Sequence, residues 1–153
     1  MRILLAIDDS ESSQRAVQMV IQQIRPVNTE VRVLHVRRPP TLLVAREMVG
    51  YDATLETTWE MGMQAAERMV EDVAARLAAA GLKVSSSVEA GEPKSTILEV
   101  AEKWGADLIV IGSDPRNRLE GYWGGGIPEG VAHRAHCSVE IVRTRQKESI
   151  GMV

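Results

Sequence analysis

Asp107-Leu108-Ile109-Val110-Ile111-Gly112 is followed, across a polar loop, by Trp123-Gly124-Gly125-Gly126-Ile127-Pro128-Glu129. Four successive apolar residues ending at a glycine fit a central strand covered on both faces, where no alternation of apolar and polar residues is expected. That strand delivers a glycine-rich turn to the start of a helix. Glycines let backbone N–H groups approach a ligand closely, and a helix start favours an anion through its positive dipole end. The stretch predicts a phosphate-bearing ligand seated where strand gives way to helix.

Outward from it, the chain alternates strands with helices. Ile3 to Asp8 reads as a strand, and Asp9-Ser10 supplies N-cap chemistry for a helix carrying Val17, Val20, Ile21 and Ile24 at helical spacing, ended by Pro26. Val31 to Val36 is a β-branched second strand stopped by Pro39-Pro40. Thr41 to about Thr58 has no clean period and fits a loop or a short helix equally. From about Glu60, the residues Ala66, Met69, Val70, Val73 and Leu77 share one helical face, which Gly81 closes. Lys83 to Ala90 is a third strand. Gly91-Glu92-Pro93 then opens a helix marked by Ile97, Val100, Ala101 and Trp104 and ended by Gly105. After the glycine turn come a helix to about Ala135 and a last strand from Ser138 to Arg143.

This alternation predicts an α/β fold, a doubly wound five-stranded parallel sheet with helices on both faces. Ligands of such sheets lie beyond the carboxyl ends of the strands, where the strand order reverses. Asp8-Asp9-Ser10 ends the first strand and Gly112 opens the loop after the fourth. If those strands are neighbours, acidic and amide groups converge on one crevice.

Composition narrows the function classes. At 153 residues the chain has room for one domain with a sizeable core and too little for two ordinary ones. A net charge of −3 argues against nucleic-acid partners, which need a concentrated basic surface; Arg37-Arg38 is too short to supply one. The apolar run Ile3 to Ile7 is far shorter than a membrane span and lacks a cleavage site after it, so the expected setting is the cytoplasm with no membrane partner. The single Cys137 cannot form an intramolecular disulfide, which agrees with a reducing compartment.

Taken together, Ile3-Leu4-Leu5-Ala6-Ile7-Asp8-Asp9-Ser10, Gly91-Glu92-Pro93 with Ile97 and Ala101, Asp107 to Gly112, and the ending His136-Cys137-Ser138-Val139-Glu140-Ile141-Val142-Arg143 resemble the universal stress protein family in order and spacing. The similarity covers about the whole chain. It implies a family domain over residues 1–145 with a polar tail over 146–153, a role in stress response or signalling, and a bound adenine nucleotide, ATP or AMP, with Mg²⁺ as a companion of the phosphates. It also implies a homodimer through the last strand, where Val139 and Ile141 point to one face of an edge that another chain can extend.

The family's nucleotide motif is a glycine, two residues, a second glycine, nine residues, a third glycine, then serine or threonine. On this chain Gly112 matches the first position and Gly125 the third, while Pro115 stands at the second glycine and Gly126 at the hydroxyl. Proline fixes φ and has no N–H, so Pro115 neither adopts a positive φ nor donates to phosphate. Gly126 keeps its N–H and loses the hydroxyl. Gly124 and Ile127 flank these positions, and Ser113, Arg116 and Arg118 lie in the loop; the arginines either compensate with guanidinium donors or are solvated surface charges. By resemblance, Asp8 lies near the nucleoside or its metal and Val36 touches the adenine. Asp9 and Ser10 are equally readable as helix caps, and Val36 alone would be read as core. Trp123 fits either a cover for an adenine ring or an apolar plug.

Other constellations carry less chemistry. His133, His136 and Cys137 have ligand-like spacing but no fourth partner nearby in sequence, so no metal site is expected. No nucleophile elbow or Walker lysine occurs, so binding without turnover is expected. The rival readings are an interaction or regulatory module of the same fold that has lost the ligand, and an enzyme acting on an adenylated substrate.

Overall fold

A computed structural model describes residues 1–40, 53–114 and 126–144. Five parallel strands form one sheet: β1 (Arg2–Ala6), β2 (Glu30–Arg37), β3 (Lys83–Ala90), β4 (Leu108–Ser113) and β5 (Ser138–Arg143), in the order β3-β2-β1-β4-β5. From β1 the chain steps outward to β2 and β3, then returns across the sheet to β4 and steps outward the other way to β5. The strand order therefore reverses between β1 and β4, which pair with Leu5 opposite Val110 and Ala6 opposite Ile111.

Four described helices cover the two faces: α1 (Glu11–Gln23), α2 (Ala53–Ala79), α3 (Pro93–Trp104) and α4 (Ile127–Arg134). The period-2 geometry of a strand sorts the apolar residues between them. Ile3, Leu5 and Ile7, with Val31, Val33 and Val110, pack against Val17 and Val20 of α1 and Val70, Val73 and Leu77 of α2. Leu4, Ala6, Leu34, Ile109 and Ile111 pack the other way, against Ile97 and Ala101 of α3 and Val131 of α4. Ile3, Leu4 and Leu5 are all completely buried. Consecutive burial of that kind requires both faces to be covered, and each such side chain contributes about 1.5–3 kcal/mol.

The helix ends follow local chemistry. Ser10 caps α1 by accepting the Ser13 amide at 3.2 Å. Glu92 caps α3 by accepting the Ser95 amide at 3.0 Å, with Pro93 in the first turn, and Gly105 closes it at φ 74°. The amino end of the sheet is tied to that closure: Arg2 exchanges backbone and side-chain hydrogen bonds with Asp107 and donates from Nη1 to the Trp104 carbonyl at 2.8 Å.

β1 ends at Ala6, two residues before the expected Asp8, and the larger departure from the sequence expectation is in α2. α2 is helical from Ala53, about two turns before Glu60. A tertiary contact accounts for it: the Arg37 guanidinium, at the end of β2, lies 4.5 Å from the Trp59 ring centroid and donates to the Trp59 carbonyl at 3.3 Å. It occupies the space a Cβ would need on Gly62. A glycine inside a helix costs about 1 kcal/mol relative to alanine, and here it admits a cation–π contact that holds the first half of α2 on the sheet.

A double-mutant cycle tests that clasp. Gly62→Ala should be neutral or destabilising alone, because the new methyl expels the guanidinium, and should stabilise by about 1 kcal/mol when Arg37 is already alanine. Urea unfolding of the four proteins measures the coupling. Equal effects of Gly62→Ala in both backgrounds contradict the clasp.

Candidate functional site

Adjacency of β1 and β4 brings the two chemically distinctive strand ends side by side. The approach is close: a Cβ on Gly112 would stand 2.5 Å from the Ser12 carbonyl carbon and oxygen and 2.8 Å from the Ser13 nitrogen. Gly112 thus lets the end of β4 lie flush on the first turn of α1. Its lack of a side chain serves backbone contact, and Ser113 beyond it is buried, with its carbonyl accepting the Thr144 amide at 3.4 Å.

Asp8 organises the β1–α1 turn. Its Oδ1 accepts the Ser10 amide at 2.9 Å and the Ser13 hydroxyl at 2.8 Å, while Ser13 Oγ accepts the Asp8 amide at 2.9 Å. Ser10 and Ser12 hydroxyls lie 2.9 Å apart. Asp8 is exposed as a whole, yet its carboxyl rests against protein on one side. That desolvation raises its pKa, but hydrogen bonds from the Ser10 side chain and backbone and from Ser13, together with the charge of His35, outweigh it and hold the carboxyl below its usual range. His35 Nδ1 lies 2.6 Å from the Ile7 carbonyl oxygen and so carries the proton of that bond. Asp9 is exposed beside this network, and among the described residues the cap of α1 is Ser10.

Val36 is half-buried against the α3 and α4 side of the core. Gly126 is the N-cap of α4 at φ −68° and ψ 179°, an extended conformation open to any residue, and its carbonyl accepts the Gly130 amide at 3.1 Å. Ile127, the first residue of α4, packs on the same core. Glu129 folds back over this start, with Oε2 2.9 Å from where a Cβ on residue 126 would be. Arg116, Arg118, Gly124 and Gly125, with Pro115 and Trp123, lie outside the described residues. His133 and His136 are exposed, and burial pushes the Cys137 thiol up.

Sequence reading missed Lys94. A Cβ on Gly130 would stand 2.9 Å from Lys94 Cδ, 3.0 Å from Cε and 3.4 Å from Nζ, so the lysine stem lies flat on α4. The available signal was a glycine inside a helix, as at Gly62. A separate groove of about 280 Å³ between β3 and α3, lined by Arg32, Glu89, Thr96 and Lys103 among others, contains none of the candidate site residues.

A family model described as the universal stress protein family matches residues 1–143. Universal stress protein MJ0531 of Methanocaldococcus jannaschii is 29% identical over 147 residues, spanning 96% of this chain and 84% of the relative. The solved structure of protein MJ0577 superposes with a TM-score of 0.79 at 24% identity, covering 95% of this chain and 96% of that one. A universal stress protein solved in complex with cAMP superposes with a TM-score of 0.67 at 23% identity, covering 94% and 96%. Further members of this fold were solved with AMP and with dAMP. The five-stranded parallel α/β architecture is that of these structures.

Two outcomes follow from the geometry. Gly112→Ala should cost at least about 2 kcal/mol in urea unfolding, because the methyl meets backbone atoms that cannot rotate away; a loss under 0.5 kcal/mol, roughly the surface-substitution range, would refute the close approach. Asp8 has a depressed folded pKa, so its contribution to stability is present above the unfolded value and is lost as pH falls from about 4. Ser13→Ala should raise the Asp8 carboxyl pKa seen by ¹³C NMR and cost about 1 kcal/mol at pH 7, with the difference shrinking below pH 3. An unmoved Asp8 titration would show that Ser13 does not hold the carboxylate.

Proposed function

Because the chain belongs to the universal stress protein family, we propose that it binds an adenine nucleotide, ATP or AMP, in the crevice above the β1–β4 junction and acts in stress response or signalling through binding and not turnover. The observation that carries this reading is the pairing of β1 with β4, which sets a carboxylate kept ionised at position 8 beside the end of β4 at Gly112 and Ser113. Relatives of the same fold hold cAMP, AMP and dAMP. In this reading Asp8 faces the nucleoside or a hydrated Mg²⁺ accompanying the phosphates, an oxygen ligand suited to that ion. Backbone amides of residues 124–127 take the phosphates, aided by the positive end of α4. Val36 lines the adenine side.

Pro115 and Gly126 reduce the phosphate contacts by one amide and one hydroxyl, so affinity is lower than the intact motif would give. Those same two positions favour the second reading, an interaction module that keeps the fold and has dispensed with nucleotide. For the assembly we infer a homodimer through β5. Among the described residues it is an edge strand paired only with β4, and Val139 and Ile141 share one face, packed on the core yet partly exposed.

Absorbance at 260 nm of heat-released supernatant from protein purified without added ligand separates the two readings, and calorimetry with ATP and AMP quantifies the first. Pro115→Gly combined with Gly126→Ser should tighten ATP binding by about tenfold, the equivalent of one recovered charge-assisted contact. No tightening refutes this account of the two departures, and no binding by either protein refutes the nucleotide reading. Light scattering should give twice the chain mass, falling to one chain in Ile141→Lys; a single-chain mass for the unaltered protein refutes the dimer.

A further inference from the structure

We propose that Lys94 is a phosphate-contacting residue of the nucleotide crevice, carried to the start of α4 by the space that Gly130 leaves open; the inference rests on the nucleotide reading above. Lys94 is the second residue of α3, directly after Pro93. In a parallel sheet the helices that follow the strands begin on the side of the strand carboxyl ends, so α3 and α4 both start at the end of the sheet that holds the crevice. Across that border, the Lys94 stem lies on α4 at Gly130, with Nζ 3.4 Å from the Cβ position of that residue. Helical Cβ atoms lean toward the helix N-terminus. The lysine stem accordingly lies along the first turn of α4, which begins at Gly126, whose carbonyl accepts the Gly130 amide.

The pairing of residues explains itself chemically. Glycine is disfavoured inside a helix, and any side chain at 130 would displace the lysine. The same turn holds the Glu129 carboxylate over the N-cap, and Lys94 also lies within electrostatic reach of Glu92. A phosphate arriving among two carboxylates needs a countercharge, and an ammonium carries three donors, enough to keep a protein partner and still serve a ligand oxygen. A flexible point charge at this place recognises a phosphoryl group and gives nothing to an uncharged nucleoside. It supplies part of what Pro115 and Gly126 withhold.

Calorimetric titration of adenosine, AMP, ATP and inorganic tripolyphosphate into the unaltered protein, Lys94→Gln and Gly130→Ala tests this. Lys94→Gln should weaken AMP, ATP and tripolyphosphate about tenfold, leave adenosine unchanged and flatten the salt dependence of ATP binding. Gly130→Ala keeps the charge and improves helix propensity, so it should weaken the same three ligands while the melting temperature holds or rises. Unchanged phosphate affinities in both variants would mean that Lys94 only neutralises Glu92 and Glu129, and would overturn the proposal; so would an equal loss for adenosine and ATP. Tripolyphosphate binding that depends on Lys94, with no adenosine binding at all, would overturn the nucleotide reading and uphold the phosphate role of Lys94. Absence of binding by every ligand would overturn both.

Discussion

The seating of β4 on the first turn of α1 is the contact on which the rest of the crevice depends. A parallel pair such as β1 and β4 aligns two strand ends but does not by itself say how closely the segments beyond them approach. Gly112 decides that, because backbone atoms of Ser12 and Ser13 stand where its side chain would be. With the gap closed, the Asp8 turn and the exit of β4 form one continuous rim. Widening it by a methyl group would separate the Asp8 turn from the exit of β4.

Two further glycines work on the same principle at the helix layers. Gly62 admits a guanidinium onto α2, and Gly130 admits a lysine stem onto α4. Neither glycine has a positive φ, so conformational freedom is not what they provide. Each exchanges helix propensity for close approach by a cationic side chain. At the opposite end Arg2, Trp104 and Asp107 make an analogous knot, whose hydrogen bonds serve to hold β1 against the end of α3.

The charge of Asp8 is held by hydrogen bonding. Asp8 is kept ionised mainly against its own desolvation by donors from Ser10 and Ser13, all within five residues of it. Such a carboxylate is ordered before any ligand arrives, which lowers the entropy lost on binding. The same local donors make Ser10 and Ser13 structural, so Ser10 reads as helix cap even within a functional reading of its neighbours.

Much of this architecture was legible from residue order. The bounds of β3, α3 and β5 coincide with the sequence reading because Gly81, Pro93, Gly105 and the β-branched runs are local signals with local causes. The all-parallel sheet and the α/β class followed from strand and helix alternation, and the family from motif order. What the residues alone could not yield were the early start of α2, the seat of Gly112 on α1 and the reach of Lys94 to Gly130. Each joins segments between about 20 and 100 residues apart, as Arg37 and Trp59, Gly112 and Ser12, or Lys94 and Gly130 do. Periodicity, capping and turn chemistry act over a few residues and determine the elements. Close approach between distant elements is a property of packing, and only the folded chain decides it.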